Sequence, residues 1–184
     1  MKHIQQAYLV PAQLTDPDKL ILSAKKNLAQ GIKRGNGYDT IRSGWEDIEI
    51  NVAPINVDRS LRIMNTIVKC LKDRGFSFDT QERYSYAVTD GCKFRISCRD
   101  KLVKKLIKEK HWERMDFCST GILSFKVNIN GLDIEWKDGK VKLEDQVPNI
   151  FERLDSEIKK AQERSLELKI YWAKQREQEK ILRI

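Results

Sequence analysis

At 184 residues, with 40% hydrophobic and 34% charged side chains, the chain has the size of one domain and enough apolar material for one core, which excludes a disordered polymer. No run approaches the roughly 20 apolar residues that span a bilayer. The start Met1-Lys2-His3-Ile4-Gln5-Gln6 lacks a signal peptide's apolar stretch, so a cytoplasmic protein, neither secreted nor membrane-bound, is expected. A net charge of +8 permits attraction to polyanions.

In chain order, Thr15-Asp16-Pro17 opens a helix with an apolar stripe of Leu20, Ile21, Ala24 and Leu28 that is expected to end near Gly31. The glycine-rich stretch Gly31 to Gly37 reads as a flexible loop, since it lacks the spacing that cradles a phosphate after a strand. Ile48, Ile50 and Val52 alternate with polar residues as in a half-buried strand. A helix follows, with the stripe Val57, Leu61, Met64, Ile67, Val68 and Leu71, cap candidates Asn56 and Asp58, and Gly75 to end it.

From there the period changes to two: Phe76 and Phe78, then Tyr84, Tyr86 and Val88, then Phe94, Ile96 and Cys98, with a tight turn at Asp90-Gly91. Residues 101–110 break this pattern and read as a short helix with lysines on one side and Leu102, Val103, Leu106 and Ile107 on the other. Alternation resumes at Leu123, Phe125, Val127 and Ile129, turns at Asn130-Gly131, and returns through Leu132, Ile134 and Trp136.

From about Asp145 nothing breaks a final helix, Pro148 lying in its first turn. At 1.5 Å per residue it would be about 58 Å long, whereas a compact chain of this length spans roughly 40 Å. Its far part must therefore overhang. Leu168, Ile170, Tyr171, Trp172, Ile181 and Leu182 there are candidates for self-association, which makes a homo-oligomer or a protein partner an expectation.

The fold class these elements predict is α+β: a mainly antiparallel β-meander of about five to six strands packed against helices, with a long C-terminal helix. Residues 1–45 form an N-terminal helix and loop, 46–143 the core, and 144–184 the amphipathic helix.

Among chemistry-bearing residues, Arg95, Arg99, Lys101, Lys104, Lys105, Lys108, Lys110 and Arg114 form the densest basic cluster. Such a cluster can neutralise phosphates without reading sequence, so non-specific nucleic-acid binding is the leading expectation. The outward residues of the predicted sheet, Lys93, Arg95, Ser97, Ser124, Lys126, Asp133, Glu135 and Lys137, include no aromatic pair, which argues against base stacking. Asp133, Glu135 and Lys137 alternate onto one strand face, the set a metal-dependent nuclease would use, and also what any wet hairpin strand shows. The four cysteines include no CxxC pair, and three sit at inward-facing positions. A zinc set of Cys92, Cys98, His111 and Cys118 lacks the close ligand pairs zinc prefers, so no metal or other cofactor is expected.

Taken together, Asp58 to Met64, Leu71 to Phe76, Phe94 to Leu102, Thr120 to Leu123, and Trp136 to Gly139 with Leu143-Glu144 resemble an uncharacterised bacterial protein family of mobile or accessory DNA. The resemblance covers about residues 46–165, mostly core and turn positions, and brings no catalytic residues. Longer members of that family carry an N-terminal segment like a helix-turn-helix, which this sequence lacks. The resemblance implies the fold more than any activity; the charge placement and the overhanging helix make a non-enzymatic interaction module the leading expectation, with a metal-dependent nuclease, or a purely structural protein partner in phage defence or plasmid maintenance, as the alternatives.

Overall fold

The shift of apolar period from threes and fours to twos is followed by the backbone over residues 8–34, 39–81 and 84–182, which the computed structural model describes. The elements in order are α1 (Lys19–Arg34), β1 (Ile41–Arg42), β2 (Glu49–Val52), α2 (Val57–Asp73), β3 (Ser77–Gln81), β4 (Tyr84–Thr89), β5 (Cys92–Glu109), β6 (Trp112–Ile129), β7 (Leu132–Lys137) and α3 (Val147–Leu182). Short 3-10 turns, Pro54–Asn56 and Leu143–Gln146, precede α2 and α3.

The seven strands form one mixed sheet, mostly antiparallel. β5 is its spine, paired with β4 and β6 antiparallel and with β2 in parallel, a pairing that a pure meander does not contain. The predicted turns at Asp90-Gly91 and Asn130-Gly131 both appear, their glycines at φ 71° and 79°. Phe94, Ile96 and Cys98 of β5 and Leu123, Phe125, Val127 and Ile129 of β6 line the sheet's covered face. Ile21, Ala24 and Leu28 of α1, the stripe of α2, and Ile150, Phe151, Leu154 and Ile158 of α3 close the same core. Gly75 ends α2 as expected: at φ 84°, its N–H bonds the Lys72 carbonyl while the Phe76 N–H bonds Leu71.

Several expectations are corrected. α1 does not stop at Gly31 but runs to Arg34, because Gly31 is where Ile41 of β1 presses against the helix and no Cβ would fit. The rest of that predicted loop, residues 35–38, lies outside the described residues. Asn56 precedes α2 but makes no side-chain cap; its amide reaches Asp100 instead. Residues 101–109 are not helical: they continue β5 and pair with β6 out to Glu109↔Trp112. The local lysine-leucine spacing suits a helix, but the strand opposite satisfies the backbone and overrides it.

On β4 the predicted orientation is reversed. Ser85 and Ala87 point into the core, and Tyr84, Tyr86 and Val88 lie on the open face, because Ala87 pairs with the inward Phe94 and Tyr86 with the outward Arg95.

A candidate nucleic-acid interface

β5 and β6 outrun the rest of the sheet. β2 meets β5 only at residues 97–99 and β7 meets β6 only at 124–129, so the eight pairs from Leu102↔Ser119 to Glu109↔Trp112 stand out as a two-stranded arm. At about 3.4 Å per residue the arm is about 25 Å long. Its base is fixed by polar groups. The pairing shifts register between Asp100 and Leu102, leaving Gly121 at φ 72°. Asp100, buried there, accepts from the Ala53 N–H (2.8 Å), Asn56 Nδ2 (2.8 Å) and Ser119 Oγ (2.7 Å). Asn56 Nδ2 also reaches the Gly121 carbonyl at 3.0 Å. The arm therefore leaves the body at a set angle.

Because the segment is a strand, its basic residues do not share one side. Lys104 and Lys108 lie with Leu102, Leu106, Met115 and Phe117 on the face that prolongs the core side of the sheet beyond its helices, where all four apolar residues are exposed. Arg95, Arg99, Lys101 and Lys105 alternate onto the opposite side of β5, joined by Arg114 across from Ile107. Lys110 lies in the turn at the arm's tip. Arg114 pairs with Asp116 at 3.0 Å and sits 5.2 Å from the Trp112 ring, while Lys108 pairs with Glu113 at 3.1 Å.

Toward the body the same side of β5 becomes the open face, whose residues fall in cross-strand rows. Tyr86, Arg95, Asn128 and Asp133 form one row; Glu49, Ser97, Lys126 and Glu135 the next; Asn51, Arg99, Ser124 and Lys137 a third. Serines at the centre of two rows leave a depression. Its volume is about 330 Å³, and Tyr86, Arg95, Ser97, Arg99, Lys126, Asn128 and Asp133 line it. Beside it the buried Glu49 carboxylate is gripped by Arg95 (Nε at 2.8 Å) and by Arg99, with Arg42 at 3.8 Å. Arg99 Nε is buried without a hydrogen-bond partner among the described residues. Tyr84 carries the Arg95 guanidinium 3.6 Å above its ring, and Tyr86 carries Lys93 Nζ at 4.2 Å. The open face thus does hold an aromatic pair, contrary to the expectation, because β4 turns its tyrosines outward.

Asp133, Glu135 and Lys137 share the open face as expected. Asp133 accepts from Asn128 at 2.6 Å and Glu135 lies 3.8 Å from Lys126. Among the described residues no three His, Cys, Asp or Glu side chains gather where they could share a metal ion. The candidate zinc set is scattered: Cys98 faces the core, Cys118 pairs with Val103 on the arm, and His111 is at the tip. Burial pushes the Cys98 thiol well up and the Cys92 thiol up to about 11.

α3 overhangs the body, its last hydrogen bond or ion pair to it among the described residues being Lys169 Nζ to Asp90 at 3.0 Å. Leu168, Ile170, Tyr171, Trp172 and Ile181 are exposed, and the Leu182 side chain lies outside the described residues. At 100° per residue, Leu168 and Trp172 continue the buried stripe whereas Ile170 and Ile181 turn to the other side, so the overhang has a short apolar seam, not a long one. Among the described residues no helix is long and apolar enough to cross a membrane. No family model, curated protein or solved structure matches the chain.

Proposed function

We propose that the protein is a non-enzymatic nucleic-acid-binding module that holds the phosphate backbone along the outer side of β5. The observation that carries this reading is the line Arg95, Arg99, Lys101 and Lys105 at odd positions of one strand. It runs about 33 Å from the middle of the open face onto the arm. Lys126 flanks it on the sheet and Arg114 on the arm. Cations spaced along an extended strand match a run of phosphates and carry no base-specific geometry.

The test separates the two sides of the arm. Affinity for nucleic acid is measured at two salt concentrations for Lys101→Glu with Lys105→Glu, and for Lys104→Glu with Lys108→Glu. The first pair weakens binding and flattens the salt dependence by about 0.7–0.9 per phosphate no longer neutralised; the second does so far less. Equal effects of both pairs, or none, would remove the reading.

A second reading, compatible with the first, is self-association through α3. It is favoured by the exposed Leu168 and Trp172 on a helix that projects about 20 Å beyond Lys169. A solution mass that gives the same number of chains per particle before and after truncation beyond Ser165 would dismiss it.

A further inference from the structure

Resting on the nucleic-acid reading and sharpening it, we infer that the depression over Ser97 seats one nucleotide of a single strand, phosphate and unpaired base together. Three observations converge on it. First, its size: about 330 Å³ is at the lower end of small-molecule sites, room for one nucleotide and not for the side of a duplex.

Second, its charge. Arg95 and Arg99 flank Ser97 along β5 and Lys126 stands directly across from it, so three cations ring one small hydroxyl. Glu49, opposite Ser97 on β2, holds the two arginines in place by one edge of each guanidinium. Each guanidinium has five N–H groups, so donors remain for a phosphate.

Third, its walls. Asn128 and Asp133 offer an amide and a carboxylate at one end, the donor and acceptor types that meet the Watson–Crick edge of an unpaired base. Tyr86 and the Arg95 plane, itself stacked on Tyr84, are the flat surfaces on which a base can lie. A paired base shows neither its edge nor its faces, so this chemistry selects single strands.

The experiment uses fluorescence anisotropy with a labelled single-stranded 12-mer and a duplex of the same length, at equal salt, on the full chain. Competition by a nucleoside monophosphate and by inorganic phosphate separates a nucleotide site from a bare anion site. Ser97→Leu fills the depression; Lys126→Gln, at an exposed position, removes one cation without risk to folding; melting curves confirm both fold.

The wild type is expected to bind the single strand at least about tenfold more tightly than the duplex, and each variant to lose about tenfold of single-strand affinity, Ser97→Leu with duplex affinity unchanged and Lys126→Gln, which also removes a phosphate-facing cation, with a much smaller loss for the duplex. The monophosphate competes and inorganic phosphate does so more weakly. Equal affinity for single strand and duplex, indifference of single-strand binding to both variants, or phosphate competing as well as the nucleotide overturns the inference, and in those cases the broader reading stands on the lysine-pair result. Absence of binding to either nucleic acid at low salt ends both.

Discussion

Glu49 offers the sharpest perturbation, because one carboxylate both holds the open face together and limits its charge. Its side chain is 5% exposed, while those of Arg95, Arg99 and Arg42 around it are 25%, 40% and 40% exposed. Glu49→Gln keeps the shape and removes the charge. The charge-assisted bond from Arg95 at 2.8 Å is worth about 1.5–3 kcal/mol. Arg99 and Arg42 can turn to water, so each adds only about 0–1 kcal/mol, the surface scale. The variant should lose about 1.5–5 kcal/mol and, in a chain of this length, melt roughly 3–20 °C lower. Binding should move the opposite way, since the freed arginines face the polyanion without a competing carboxylate. Affinity rises at low salt, and the salt dependence steepens by about 0.7–0.9 for each further phosphate neutralised. Circular-dichroism melting and anisotropy at two salt concentrations read the two halves. Unchanged melting refutes the worth given to the grip; lowered melting with unchanged affinity refutes the claim that Glu49 restrains the surface.

The remaining predictions concern the frame that positions this surface. Arg59 joins α2 to Asp138 (3.0 Å) and Glu144 (2.7 Å). Burial works to raise the Asp138 pKa, but the bonds from Arg59 and from the Leu143 and Leu123 N–H groups outweigh it, and the Arg59 bond outweighs burial at Glu144, so both carboxyls are held below their ordinary values. Their contribution is therefore full above the ordinary carboxylate range and lost as pH falls through the lowered values, so urea midpoints should hold from about pH 7 to 5 and drop below about 4, less steeply in Arg59→Met. Gly121→Ala puts a Cβ on a left-handed residue with open space around it, so the cost is conformational, about 1–2 kcal/mol in urea unfolding. Asp100→Ala strips the arm base of its acceptor, leaving the Ala53 N–H and the Ser119 hydroxyl without it and Asn56 Nδ2 with only the Gly121 carbonyl, costing about 2–4 kcal/mol; faster amide exchange along 102–119 than in the sheet would report a loosened arm. A thiol reagent should modify Cys118 in the folded protein and reach Cys70, Cys92 and Cys98 only on unfolding, because those three are buried.

Much of this fold is legible in one sequence. Every element whose apolar period is unambiguous appears, from α2 through the two predicted tight turns to α3, and the α+β class with its long last helix follows from them. The arm is not legible in this way, because a strand outside a core needs no one-sided apolar pattern. In Lys101 to Lys110 both faces are wet, so alternation says nothing and the accidental helical spacing of the leucines wins. The sign that does exist lies in β6, where residues 112–120 contain no glycine, proline or asparagine before Gly121 and so supply a partner strand of equal length. The reversal of β4 has a related cause. Aromatic residues count as apolar in a periodicity, yet Tyr84 and Tyr86 owe their packing to Arg95 and Lys93 above the open face, while Ser85 and Ala87 fit against the core. For the interface the residues are readable and their arrangement is not: of the eight basic positions, four fall on one side of β5, and only the strand register shows which.

Two parts of the molecule reach beyond its core, and they are anchored differently. The arm leaves a base in which Asp100, Asn56 and Ser119 satisfy one another in a buried cluster. α3 leaves across an exposed ion pair, Lys169 to Asp90, of the kind worth little in water. A ligand that met a loosely held element would have to offset the entropy of ordering it; one that meets a fixed element does not. The arm and the open face beside it thus hold their cations on a fixed frame, at intervals set by the strand itself. The α3 overhang has the opposite character, a short exposed Leu168–Trp172 seam on a helix that, among the described residues, makes no hydrogen bond or ion pair to the body past Lys169.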